Sequence, residues 1–106
     1  MGATAEIGRG RLFIGGSWRE PSGGQYRPVI DPSTGRSIGE APVATVEDAR
    51  AAVDAAASAE ERWATVPGHE RAALLRRTAE RIHADRESLA RLIAWEIGKP
   101  IVEARA

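Results

Sequence analysis

Apolar residues follow two different periods along the chain. Up to about Val43 they alternate or come in short runs, and from Thr45 onward they recur every three to four residues. The first regime predicts strands. Arg11 to Arg19 reads as extended, with Gly15-Gly16 as a turn or bulge inside it. Pro21-Ser22-Gly23-Gly24 is loop, and Tyr26 to Asp31 is a second strand that Pro28 restricts to an edge or bulge position. Asp31-Pro32-Ser33-Thr34-Gly35 is a turn: Asp accepts backbone N–H bonds, Pro sets φ, and Gly accepts positive φ. Arg36 to Val43 resumes extended structure, broken by Gly39 and Pro42. Together these runs predict a short antiparallel hairpin or meander.

The second regime predicts helices. Thr45 is a good N-cap, and Glu47 and Asp48 place negative charge at the positive helix end. Val46, Ala49, Val53 and Ala56 form one narrow apolar stripe, with Trp63 anchoring its end. Pro67-Gly68 breaks the pattern. A second helix runs from about His69 to His83, with Ala72, Leu75, Ala79 and Ile82 on one face. Asp85 caps a third, which carries Leu89, Leu92 and Ile93 and ends at Ile97. Gly98 fits the position after a helix end, and Pro100 the first position of a further helix. That fourth segment, from Ile101, is too short to be stable by itself, since isolated helices below about 12 residues are marginal. The pattern is that of a longer chain cut short, or of a frayed natural terminus. Residues 1–10 mix Gly, Ala and charge without period and are expected to be loosely attached.

Composition narrows the chemistry. Of 106 residues, 42% are hydrophobic, but 20 are Ala, so the apolar area available for burial is small. Fifteen basic and fifteen acidic residues cancel, which argues against strong sequence-independent nucleic-acid binding, since that needs a positive field. Arg71, Arg76, Arg77 and Arg81 are interleaved with Glu70, Glu80 and Glu87 and read as a solvated or salt-bridged face. Neither Cys nor Asn occurs anywhere, which removes disulfides, thiolate metal sites and a Cys nucleophile. His69 and His83 lack partners at ligand spacing. Lys99 suits a helix C-terminus, and Trp18, Trp63 and Trp95 read as core anchors. Leu12-Phe13-Ile14 is too short for a secretory core, and no run approaches a membrane span, so a cytoplasmic chain without a membrane partner is expected.

The order of these signals resembles the opening of the NAD(P)-dependent aldehyde dehydrogenase superfamily. Leu12-Phe13-Ile14-Gly15-Gly16-Ser17-Trp18 is similar to its first strand, and Val29-Ile30-Asp31-Pro32-Ser33-Thr34-Gly35 to its Asn- or Asp-Pro-x-Thr-Gly landmark. Ile38-Gly39-Glu40-Ala41-Pro42 and Thr45-Val46-Glu47-Asp48 resemble the lead into its first helix. Trp63, Glu70-Arg71 and Leu74-Leu75-Arg76-Arg77 resemble its second helix, and Glu96-Ile97-Gly98-Lys99-Pro100 its Glu-x-Gly-Lys-Pro stop. The likeness covers residues 11–106.

The resemblance implies an α/β fold class: an N-terminal piece of the aldehyde dehydrogenase fold. Short antiparallel strands precede three to four amphipathic helices, with no complete Rossmann-like sheet. It implies that the parent oxidises an aldehyde to an acid with NAD or NADP. A Cys thiolate attacks the carbonyl, an Asn side chain helps hold the oxyanion, and a Glu activates water. This chain carries no such Cys or Asn, and no Gly-x-Gly-x-x-Gly after a strand, so no catalytic or cofactor-binding residue is assigned to it. Its expected partners are the remainder of the subunit and, for the parent, a homo-oligomer. The resemblance further implies a monovalent-cation site, with backbone oxygens near Val29 or Ile30 and the Glu96 carboxylate as oxygen ligands. Alternatively, Glu96 is a helix-terminal carboxylate bonded to the hairpin backbone. A rival reading is a free-standing α+β module that dimerises through its Ala-rich helix.

Overall fold

Glycine placement and backbone pairing build the strands of this chain, whose computed structural model describes residues 7–106. β2 (Leu12–Ile14) and β3 (Ser17–Arg19), which follow the short β1 (Gly8–Arg9), pair antiparallel with Phe13 opposite Trp18. Gly15 and Gly16 join them with φ of 62° and 81°. Two successive left-handed residues match the twist of a tight hairpin, and glycine adopts them without strain. The single extended run expected over residues 11–19 is thus two strands with the glycines as their turn.

β4 (Tyr26–Ile30) pairs antiparallel with β5 (Ser37–Pro42), with a register shift between Val29 and Ile30. β1 joins the other side of β5 in parallel, giving the order β1-β5-β4. β4 is therefore an edge strand, where Pro28 is tolerated despite lacking a donor. β5 continues through Gly39 and Pro42 rather than breaking there. Gly39 is needed for a close approach: a Cβ there would collide with the Ile7 side chain and lie 2.7 Å from the Gly8 carbonyl oxygen.

Residues 7–10 accordingly differ from the loose segment expected over 1–10, of which residues 1–6 lie outside the described residues. Ile7 N–H donates to the Ile38 carbonyl at 2.7 Å, and Gly10 N–H to the Glu40 carbonyl at 2.8 Å. The Arg9 guanidinium pairs with Glu40 at 2.9 Å and lies 4.3 Å from the centre of the Tyr26 ring. Lack of sequence period says nothing about a strand held by a sheet edge already present.

The helices are α1 (Val46–Thr65), α2 (Gly68–Ala84), α3 (Arg86–Ile97) and α4 (Ile101–Ala104). Thr45 caps α1 as expected. Its Oγ1 accepts from Asp48 N–H at 3.2 Å, while Asp48 Oδ2 accepts from Thr45 N–H at 2.9 Å. This reciprocal pair is a capping box with Asp as its acid. Asp85 separates α2 from α3 but makes no side-chain cap. Its φ of −93° and ψ of 7° keep it near helical, whereas a capping side chain needs extended backbone. Gly98 ends α3 at φ 70°, its N–H bonded to the Ala94 carbonyl, and Pro100 precedes α4 by one position.

These elements form two units. The strand unit holds the described residues up to Ile30 together with Gly35–Ala64, and the helical unit holds Asp31–Thr34 with Thr65–Ala106. Among the described residues the buried apolar side chains are Ile14 and Ile38 in the first and Ala90 in the second. The expected helix stripes are not covered: Val46 and Val53 on α1 and Leu75 and Ile82 on α2 are all exposed. Trp18, read as a core anchor, is 66% exposed and rests on an equally open Phe13, ring centres 4.9 Å apart. A two-stranded hairpin offers that aromatic pair no opposing layer.

Candidate functional site

The polar chemistry of the chain gathers at two buried carboxylates. In the strand unit, Asp48 stands in the first turn of α1 and accepts the Thr45 amide that its own capping box requires. Ser22 N–H donates to both of its oxygens, at 3.0 and 3.3 Å, and Ser22 Oγ lies 2.6 Å from Thr45 Oγ1. One side chain thereby caps a helix and holds the loop before β4. The Thr45 amide leads in keeping this carboxyl below the usual range, with Ser22 assisting and burial opposing.

In the helical unit, Asp31 opens the Asp-Pro-Ser-Thr turn. Its Oδ1 accepts from Ser33 N–H at 2.8 Å and from Ser33 Oγ at 2.7 Å, an Asx-turn. Its Oδ2 accepts from Trp95 Nε1 at 3.2 Å. The Ser33 hydroxyl is the leading cause of its lowered pKa, followed by the Ser33 amide, with Trp95 and Thr34 adding and burial opposing. Gly98 completes the contact, since a Cβ there would lie 3.1 Å from Pro32 Cγ. Sequence reasoning identified the turn and the helix stop separately but not this bond. Both carboxylates are held in the ionised form at neutral pH by the donors they accept, so neither is poised to carry a proton in catalysis.

Two open grooves accompany these clusters. One, of about 480 Å³, lies between the β2–β3 turn and the Ala52, Ala55 and Ala59 face of α1. The other, of about 600 Å³, is lined by Ile82, Leu89, Ala90, Ile93 and Ala104. Their linings are largely aliphatic, with His83 and arginines at the rim of the second, so they suit docking rather than reaction.

The expected cation ligands are spread over the two units: Val29 and Ile30 lie on β4, and Glu96 is exposed on α3. Among the described residues no group of three or more His, Cys, Asp or Glu side chains could hold a metal ion. Nor do these residues fit a dinucleotide. Gly15-Gly16 joins two strands and Gly23-Gly24 leads into a strand, whereas a pyrophosphate cradle needs a glycine loop that opens a helix. No described helix is long and apolar enough to cross a membrane.

A short hairpin, a three-stranded sheet and a run of four helices define the opening of a known enzyme fold. The sequence profile described as "Aldehyde dehydrogenase family" matches residues 18–106, and the chain belongs to that family. It is 44% identical over 109 residues to betaine aldehyde dehydrogenase 1 of Oryza sativa subsp. japonica, covering 98% of this chain and 22% of the relative. A chloroplastic aminoaldehyde dehydrogenase of Arabidopsis thaliana is 42% identical over 99 residues, covering 89% of this chain and 20% of the relative. Among solved structures, the NAD-dependent aldehyde dehydrogenase of Sinorhizobium meliloti superposes with a TM-score of 0.90 at 31% identity, over 96% of this chain and 21% of its own. The chain thus spans about a fifth of the length of the relatives it matches, as an N-terminal piece of their α/β fold.

Proposed function

We propose that this chain is the N-terminal portion of a subunit that oxidises an aldehyde to a carboxylic acid with NAD or NADP, and that its own part is structural. One observation carries the reading: a chain with no Cys and no Asn matches the aldehyde dehydrogenase family along most of its length but spans only about a fifth of its relatives. The exposed apolar faces of α1 and α2 and the two aliphatic grooves support it, because unpartnered apolar surface of this kind marks an interaction site. The occupant proposed for them is the remainder of the subunit, within a parent that is a homo-oligomer. The chain alone is expected to release no NAD(P)H from betaine aldehyde or aminoaldehydes. Turnover above background by the purified chain would overturn the structural assignment. A cooperative thermal transition with a discrete dimer would instead favour the free-standing module.

Two finer assignments rest on the family resemblance. Oxygens near Val29 or Ile30 and the Glu96 carboxylate are proposed to contribute to a monovalent-cation site in the full-length parent. K⁺ or Na⁺ should then raise the parent's thermal stability, and Glu96→Ala should abolish the response; an equal salt response in both proteins sinks the assignment. A cytoplasmic location is proposed for the parent, although the Arabidopsis relative is named chloroplastic. Imaging the tagged full-length protein decides it.

A further inference from the structure

We propose that Asp31 is a positioning residue whose two oxygens have separate duties, one building the strand-joining turn and the other holding the end of α3 through Trp95. Two sequence landmarks, Asp31-Pro32-Ser33-Thr34 and the stop at Glu96 to Pro100, thereby become one structural element although Asp31 and Trp95 stand 64 positions apart. The argument begins with burial. Asp31 is only 8% exposed, and its bonding partners are neutral donors. A buried carboxylate without a counter-charge depends on the hydrogen bonds it receives.

Division of the donors between its oxygens is clean. Oδ1 takes both Ser33 donors and Oδ2 takes the Trp95 indole, with the Thr34 side chain adding a further hydrogen bond to the carboxylate. Asn could keep the first duty with its amide oxygen, but its NH₂ would then face the indole N–H, donor against donor. Asp and Asn both suit a turn of this kind, yet only Asp can also hold Trp95. Gly98 approaches Pro32 so closely that an added Cβ would lie 3.1 Å from its Cγ, a second point at which the turn nears the end of α3. Since α4 starts three residues beyond Gly98, the place where the chain leaves α3 is set from the turn.

Indole N–H exchange read by NMR on the whole 106-residue chain tests the assignment. Trp18 and Trp63, 66% and 40% exposed, serve as internal references, and Trp→Phe variants assign the three indole signals. Trp95 should exchange slowest. Asp31→Asn should accelerate it about tenfold, the factor one hydrogen bond of ordinary net strength supplies, while the Ser33 amide stays protected. Asp31→Ala should release both. A Trp95 indole exchanging as fast as Trp18 in the unaltered chain overturns the proposal, whatever the state of the other elements. So does an Asp31→Asn variant that leaves Trp95 unchanged or frees Ser33 along with it.

Discussion

The strand unit and the helical unit solve the same problem in opposite ways. Strands cannot satisfy their backbone alone, so the strand unit is closed by ladders: β5 is paired on both sides, and Asp48 ties the loop at Ser22 to α1. Ile38 on the central strand of that sheet is 1% exposed. Helices satisfy their own backbone within a few residues, so α2 and α3 are fully formed while Ala90 is the only buried apolar residue of their unit. The comparison teaches that regular secondary structure is no evidence of a closed core. The helical unit is held by a few specific contacts and leaves its apolar faces open, as α1 does within the strand unit. That is expected of surface meant for the rest of a subunit.

Breaking each unit at its tightest approach tests this difference. Gly39→Val would drive a side chain into Ile7 and the Gly8 carbonyl. It should cost about 1–3 kcal/mol, read in denaturant melts, with lost exchange protection at the Ile7 and Gly10 amides. The helical unit should be unaffected. Gly98→Ala should cost about 1–2 kcal/mol, because a left-handed residue gains a Cβ and that Cβ meets Pro32. Its effect should stay at the junction of α3 and α4, seen as shifted amide resonances there.

Acid separates the units less sharply. The Asp48 carboxyl is held low in the folded chain, so the stability it contributes is present in full above its unfolded value and lost as pH falls through its native one. Helix content of α1 should decline over that acidic window, and Asp48→Ala should be less stable at neutral pH and lack that part of the acid response. Circular dichroism against pH reads both. The smallest effect belongs to Arg105, whose guanidinium grips Glu87 at 3.0–3.2 Å with both groups about half exposed. Arg105→Ala should cost less than about 1 kcal/mol, and salt should erase the difference. A larger loss would mean that the helical unit leans on ion pairs more than proposed.

Much of this was legible because it is local. The glycine turn at Gly15-Gly16, the Asx-turn at Asp31, the Thr45 cap and the Gly98 stop each depend on residues within a few positions of one another. The site residues were less accessible. Asp48 reads in sequence as favourable charge at a helix start, and its second role toward Ser22 emerges only when the loop closes over it.

By itself, then, the sequence determined where strands give way to helices and where turns fall. Tertiary structure decided that residues 7–10 join β5, that Trp18 stays open and that Asp31 reaches Trp95. The physical reason is range. Propensity, capping and turn geometry act over a few residues, whereas pairings across 31 or 64 positions depend on which surfaces meet after the chain has closed.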